Sequence, residues 1–129
     1  MDTNAGRPGY NASLAVFASA ARTATPTAVT INNLSGKALQ LIVDVTAITA
    51  TPSITVAIEG YDVASAKWYS LLGSIAAIAT AIQRIYRIYP GATASAGLTA
   101  NDFIPKTIRI SVTHGDADSI TYSIGANIT

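Results

Sequence analysis

Apolar and polar residues alternate along much of this chain from Leu39 onward. A period of two residues puts successive side chains on opposite faces of a β-strand, so each such segment buries one face and exposes the other. The alternation predicts an antiparallel all-β domain. It is clearest in four segments: Leu39–Thr46, Ile54–Glu59, Thr107–Thr113 and Ser119–Ile124.

Turn-forming residues recur roughly every 8 to 12 positions and separate about eight predicted strands, which indicates a single antiparallel β-sandwich or jelly-roll-like domain. Three hairpins are predicted, around Thr49–Pro52, Tyr61–Ala66 and Gly115–Asp118, where the residues favour turns. Apart from 75–89, the segments predicted as strands are 14–19, 27–32, 38–48, 53–60, 67–73, 106–114 and 119–128.

The segment 75–89 fits two kinds of structure. Its isoleucines and Tyr89 recur at three- and four-residue spacing, as on the apolar face of a helix. Against a helix, the segment is dense in isoleucine, follows Gly73 and ends in a tyrosine-rich run, all of which are typical of strands. We favour two short strands. The next segment, 90–105, contains several glycines and prolines and is predicted to be a long loop.

The chain divides into a predicted flexible N-terminal arm, residues 1–13, and a β-sandwich domain, residues 14–129. The arm contains Gly6, Pro8 and Gly9 and lies at a terminus, where order is often low. It lacks the apolar stretch of a signal peptide. The longest apolar run, 71–82, is shorter than the roughly 20 residues that a membrane-spanning helix needs. We therefore expect a soluble protein made in the cytoplasm, with no membrane partner.

Charge is scarce in this chain: 12% of its 129 residues are charged and the formal net charge is +1. The charged share is about half that of an ordinary soluble domain, so no strong field attracts nucleic acid or an anionic membrane. A surface of Thr, Ser and Ala is also poorly protected against association. We expect further copies or a partner to cover it, the alternative being a compact domain with small exposed residues. The absence of cysteine excludes disulfides and cysteine-based zinc sites.

Catalytic chemistry has few candidate residues. His114 is the single histidine and Glu59 the single glutamate, whereas a hydrolase triad needs a nucleophile, a base and an acid that converge. The Gly-x-Ser-x-Gly motif of many hydrolases is missing. Glu59 is predicted on the strand face opposite Ile54 and Ile58. We expect no enzyme activity, no catalytic residue and no cofactor.

The turn after residue 113 is the best candidate metal site. His114, Asp116 and Asp118, joined by Asp102, offer ligands that a hard cation such as Ca²⁺ accepts. The same residues suit a turn, because aspartate side chains bond to nearby backbone amides. We favour the turn and predict no metal site.

The run Arg84–Tyr89 combines two arginines with two tyrosines. This composition can bind single-stranded nucleic acid, but it is also enriched at protein–protein interfaces. The low net charge favours a protein partner. On a strand, Arg84 and Tyr86 share one face, and Arg87 and Tyr89 share the other.

Trp68 and Tyr69 follow a predicted hairpin loop, where aromatic side chains can form a platform for a sugar. A single tryptophan in a sandwich more often packs on the core. Sugar binding is therefore the weaker of the two interpretations.

Five segments carry a resemblance to a known group of proteins: Thr25–Val29, Val43–Ser53, Ile58–Asp62, Tyr89–Gly91 and Thr113–Ser123. Over most of the chain beyond residue 14, it resembles small proteins encoded among the virion genes of tailed bacteriophages. Because the shared segments are strands and turns, they imply architecture more than chemistry. The resemblance implies a capsid decoration (cement) protein or another minor structural protein of the virion.

A decoration protein of this kind binds the outer surface of the phage head, so the resemblance implies the major capsid protein as partner and the virion as location. It also implies a homo-oligomer, with a trimer favoured, in which the arm reaches a neighbour and the 90–105 loop contacts the shell. The alternative is a tail or fibre component that binds a host glycan. We expect no nucleic acid partner. The residues predicted to bind the partner are Arg7, Tyr10, Arg84, Tyr86, Arg87, Tyr89 and Phe103.

Overall fold

Nine β-strands make up the regular structure of the computed structural model, which describes residues 12–33 and 35–129 and has no helix in those ranges. The strands form a five-stranded and a four-stranded sheet. The predicted all-β sandwich is thereby confirmed. The strands are β1 (Ala12–Arg22), β2 (Val29–Asn32), β3 (Leu39–Ile48), β4 (Ile54–Asp62), β5 (Lys67–Ser70), β6 (Gln83–Tyr89), β7 (Thr99–Asn101), β8 (Thr107–His114) and β9 (Ile120–Ile128).

The order of strands in the two sheets is that of a jelly roll. The five-stranded sheet has the order β1-β9-β3-β6-β7, and the four-stranded sheet has the order β2-β8-β4-β5. The antiparallel pairs are nested, β4 with β5, β3 with β6, β2 with β8 and β1 with β9, as in one long hairpin rolled around a core. β7 extends the edge of the five-stranded sheet, parallel to β6.

Two of the three predicted hairpins are wrong. Thr49–Pro52 connects β3 to β4, and Gly115–Asp118 connects β8 to β9, but in each case the two strands belong to different sheets. Both turns therefore cross from one layer of the sandwich to the other. Alternation shows which face of a strand is buried, but it does not show which neighbour the strand pairs with. The third hairpin is confirmed, because Tyr61 of β4 pairs with Trp68 of β5.

The core lies between the sheets and is built from the alternate residues that the sequence pattern predicts to be buried. In β3, Leu39, Leu41 and Val43 are at most 2% exposed, while Gln40 and Ile42 between them face outward. Strands β4, β8 and β9 repeat this pattern. Burying an aliphatic side chain of this size contributes about 1.5–3 kcal/mol relative to leaving it exposed.

The segment 75–89 contains one strand, β6, instead of the two predicted. Residues 71–82 have no regular structure apart from Ile78, which forms an isolated bridge with Ile54. The two residues exchange backbone hydrogen bonds of 2.8 and 3.0 Å, and Ile78 is buried. An extended chain, and no helix, thus brings this isoleucine into the core.

Two predicted boundaries also differ from the structure. β1 begins at Ala12, so Ala12 and Ser13 belong to a strand paired with β9 and not to the predicted arm. The other residues of that arm, 1–11, lie outside the described residues. The predicted loop 90–105 contains the short strand β7, which pairs with the end of β6.

Candidate interaction surfaces

The residues predicted to bind a partner do not form one surface. Arg7 and Tyr10 lie outside the described residues. The alternation of β6 turns Tyr86 inward, where it is 1% exposed, and Arg84 lies half-buried on the same face. Tyr86 therefore belongs to the core and presents nothing to a partner.

Among the described residues the hydroxyl of Tyr86 makes no hydrogen bond of good geometry, and the polar group near it is the side chain of Arg84. Burial raises the pKa of this phenol, because an apolar surrounding disfavours the charged phenolate, and the nearby Arg84 opposes the shift only in part. The side chain is thus neutral and contributes its ring to the core.

Three exposed apolar side chains are spread along the β6–β7 edge of the sandwich, and we call them the edge patch: Tyr89, Leu98 and Phe103, which are 39%, 42% and 62% exposed. Backbone hydrogen bonds bring them there. Asp102 N donates to Tyr89 O at 3.3 Å, and Arg87 N donates to Leu98 O at 2.9 Å. Sequence analysis identified Tyr89 and Phe103 but missed Leu98, whose place depends on β7 pairing with β6.

The outer face of the five-stranded sheet carries a row of polar side chains that crosses all of its strands. Ser13, Asn127, Gln40, Arg87 and Thr99 are cross-strand neighbours in that order. Ser13 Oγ donates to Asn127 Oδ1 at 2.9 Å, and Asn127 Nδ2 donates to Gln40 Oε1 at 3.0 Å. These two hydrogen bonds link the side chains of β1, β9 and β3 across the sheet. A groove of about 390 Å³ lies along it.

Next to this polar row runs an apolar row. Ala15, Gly125, Ile42 and Ile85 are cross-strand neighbours, and a groove of about 430 Å³ passes over the first three. On the side of the apolar row away from the polar row, Asp44 of β3 pairs with Gln83 of β6. Among the described strand residues that point outward from this sheet, the two charged ones are Asp44 and Arg87, on opposite sides of the apolar row.

The outer face of the four-stranded sheet carries an aromatic cluster around Trp68. The rings of Tyr61 and Trp68 are 5.0 Å apart and tilted by 60°. The guanidinium of Arg109 lies 4.3 Å from the centre of the Trp68 ring, at cation–π distance. Two nitrogens of Arg109 donate to Glu59 Oε1 at 2.8 and 3.0 Å. Glu59 thus lies on the outer face, as predicted, and holds Arg109 against the indole.

A groove of about 450 Å³ lies over the β4–β5 hairpin beside this cluster. It combines aromatic rings with a carboxylate, a hydroxyl and an ammonium group. The residues that line it are Tyr61, Asp62, Ser65, Lys67, Trp68 and Tyr69.

His114 lies at one end of the sandwich, where its Nε2 is 3.0 Å from the hydroxyl oxygen of Tyr122. Because His114 is in β8 and Tyr122 in β9, this contact joins the two sheets. Burial lowers the pKa of His114 and the charge of Arg22 lowers it further, so the imidazole is neutral at pH 7.

The aspartates after His114 accept hydrogen bonds from backbone groups, one in their own turn and one in the turn between β3 and β4. Asp116 Oδ1 accepts from Asp118 N at 3.0 Å, and Asp118 Oδ2 accepts from Thr51 N at 3.1 Å. Within residues 12–33 and 35–129, no group of three or more His, Cys, Asp or Glu side chains is arranged to hold a metal ion. These hydrogen bonds are those that aspartate side chains make in turns.

No family model, curated protein or solved structure matches this chain. The described ranges also contain no helix long and apolar enough to cross a membrane. The function must therefore be argued from the surfaces of the molecule.

Proposed function

We propose that this protein is a non-enzymatic structural protein of a virion, a capsid decoration (cement) protein that binds the major capsid protein on the outer surface of a phage head. The edge patch carries this proposal. It places three large apolar side chains, Tyr89, Leu98 and Phe103, in solvent on a molecule whose surface has few charges.

Exposed apolar side chains that follow one edge of a molecule indicate a surface for a protein partner. Aromatic residues at the centre of an interface often contribute most of its binding energy. Phe103, at 62% exposed, is the most exposed aromatic side chain in the described part of the chain. Burial contributes roughly 25 cal/mol per Å², so covering the edge patch against a capsid subunit supplies a binding anchor without requiring charge.

The fold is consistent with this role but does not establish it. Jelly rolls occur in viral capsid domains and in lectin domains, and one fold hosts many functions. What the fold adds is a rigid support, because the edge patch lies beside paired strands and not in an isolated loop.

The test is co-sedimentation of the purified protein with capsids of the virus that encodes it, prepared without this gene product. We expect saturable binding at many copies per shell. Phe103→Ser combined with Leu98→Ser should weaken it at least tenfold, about 1.4 kcal/mol.

Val63→Ser is the matched control, since Val63 is 84% exposed and lies in the turn between β4 and β5, which belong to the other sheet. It should bind as the wild type does. Wild-type protein that stays in the supernatant at every concentration would contradict the decoration role.

The groove beside Trp68 favours a second candidate, a tail or fibre component that binds a host glycan. Aromatic rings beside Asp62 and Ser65 suit a sugar ring and its hydroxyls, although Arg109 already covers one face of the indole. Titration with host glycans, followed through the fluorescence of the single tryptophan, tests it. A saturable change that Tyr61→Ala abolishes would favour this candidate over the first.

A further inference from the structure

We propose that two copies of this chain associate through the outer faces of their five-stranded sheets, about a two-fold axis that lies in the plane between the two sheets and runs across the strands at the level of Ile42 and Ile85. The proposal does not depend on the virion role, because it rests on the face itself. Three features support it: a glycine that packing within the chain does not explain, two complementary charges, and the size of the face.

Gly125 lies at the centre of this face, in β9 between β1 and β3. Glycine weakens the interior of a strand and often marks a place where another backbone or a ligand approaches closely. Inside this chain the glycine is not needed for space, because the nearest atom to an added Cβ would be Leu14 O at 3.8 Å, an ordinary contact. The backbone conformation of Gly125 does not require glycine either, because its φ is not positive. The missing side chain leaves room on the outside of the sheet.

The two charges of the face are placed symmetrically about its apolar row. Ile42 pairs with Ile85, and because β3 and β6 are antiparallel, Asp44 and Arg87 lie two residues beyond this pair in opposite directions. By strand geometry they are about 14 Å apart, too far to pair with each other. Neither makes a salt bridge within the described residues.

A two-fold axis in the interface plane, running across the strands at the level of Ile42 and Ile85, reverses the strand direction and brings Asp44 of each copy opposite Arg87 of the other. An isologous interface needs this arrangement, in which one surface is its own complement. It forms two equivalent ion pairs around a centre of Ile42, Ile85 and Gly125. Any other partner would have to supply both charges in the matching positions, whereas a second copy has them already.

The outer face of the five-stranded sheet is also large enough for a stable dimer interface. With about 4.8 Å between strands and about 3.3 Å per residue, the four long strands β1, β9, β3 and β6, by roughly nine residues each, cover on the order of 600 Å² in projection without the edge strand β7. A stable interface buries roughly 800 Å² of accessible surface per partner, and accessible area exceeds projected area. Two sheets of a sandwich pack face to face in this way, with the side chains of the two faces interdigitating.

Analytical ultracentrifugation of the full chain over about a hundredfold range of concentration tests the proposal. We expect a reversible equilibrium between the chain mass and twice that mass. Asp44→Arg and Arg87→Asp, each alone, place like charges opposite each other and should raise the dimer Kd at least tenfold. The double variant, which exchanges the two charges, should return the Kd to within about threefold of the wild type.

Gly125→Val fills the face with a side chain that suits a strand. It should leave the fold intact by circular dichroism and shift the protein to monomer. Ser111→Val is the matched control, since Ser111 lies at mid-strand in β8 on the outer face of the other sheet, and it should remain dimeric.

Three results would overturn the proposal: a wild-type chain that is monomeric throughout, a trimer, or a dimer unaffected by Gly125→Val and by the charge variants. A monomer would mean that this face does not bind a second copy of the chain. The variant Phe103→Ser combined with Leu98→Ser tests the two proposals separately. If it loses capsid binding but dimerises with an unchanged Kd, the capsid-binding surface and the dimer interface are different surfaces.

Discussion

At the scale of single residues, two buried tyrosines show how differently the core treats the same hydroxyl group. Tyr122 and Tyr86 are both at most 1% exposed. The hydroxyl of Tyr122 contacts His114, whereas that of Tyr86 makes no hydrogen bond of good geometry among the described residues. A buried polar atom without a hydrogen bond lowers stability, while one with a partner is close to neutral or favourable.

We expect Tyr86→Phe to leave the free energy of unfolding unchanged or to raise it by up to about 1 kcal/mol, because it removes an unpaired hydroxyl and keeps the ring. Tyr122→Phe, which breaks the contact with His114, should lower it by about 1 kcal/mol. Urea denaturation at pH 7.5 measures both. A clear loss of stability in Tyr86→Phe would show that the hydroxyl has a partner in solution.

His114 should make stability depend on pH. Its pKa in the folded protein is lower than the ordinary value of 6.5, chiefly because burial disfavours the imidazolium. Below about pH 6.5 the unfolded chain therefore binds more protons than the folded chain. The contribution of His114 to the free energy of unfolding is complete above about pH 6.5 and is lost as the pH falls toward the pKa of the folded protein. Denaturation of the wild type and of His114→Asn at pH 7.5 and 5.0 tests this. The drop in stability between the two pH values should be smaller in the variant, and an equal drop would contradict the assignment.

At the scale of elements, β1 is an edge strand whose pairing with β9 is interrupted. The register shifts between Ala15 and Phe17 and again between Phe17 and Ala20. Arg22 bonds the backbone around this irregular stretch: its guanidinium donates to Ala18 O at 2.6 Å, to Ala20 O at 3.2 Å and to Tyr122 O at 2.8 Å. Bulges of this kind bend an edge strand and discourage pairing with other chains.

Arg22→Ala should lower the free energy of unfolding by about 1–2 kcal/mol, because charged hydrogen bonds to three carbonyls are lost together with the stacking on Tyr122. Arg22→Lys keeps the charge but lacks the forked geometry, so we expect an intermediate loss. Hydrogen exchange of the β1 amides should increase in both variants. Unchanged exchange would mean that the arginine does not hold this strand.

At the scale of the whole molecule, the nested pairing joins residues that are far apart in sequence. The outermost pair, β1 with β9, brings Ala12 opposite Ile128. The single hairpin between neighbouring strands of one sheet is β4–β5, within the described residues. Chains dominated by such distant contacts fold slowly, since loop closure must precede the contacts that stabilise it.

The main folding phase should therefore have a time constant of milliseconds to seconds and not microseconds. Stopped-flow fluorescence of Trp68 after dilution from urea measures it. Because Trp68 lies in the β4–β5 hairpin, a second probe such as far-ultraviolet circular dichroism should give the same rate if folding is two-state. A main phase faster than a millisecond would contradict the prediction.

The sequence by itself determined the class of the fold and the buried face of most strands. Alternation at Leu39–Thr46 and Ser119–Ile124 placed these segments in strands and identified the side chains that fill the core. It also put Arg87 and Tyr89 on one face of β6 and Tyr86 on the other. A period of two is a local property of an extended chain with one apolar face, so it is visible without knowledge of the partners.

Only the tertiary structure decided which strands pair and which face of β6 is exposed. Turns at Thr49–Pro52 and Gly115–Asp118 have the residues of hairpins, yet each crosses between the sheets, because the choice of neighbour depends on how the whole chain packs. The edge patch and the row through Ile42, Ile85 and Gly125 exist for the same reason: they join strands that are distant in sequence. No local pattern contains that information, since burial of the apolar faces is satisfied by more than one order of strands.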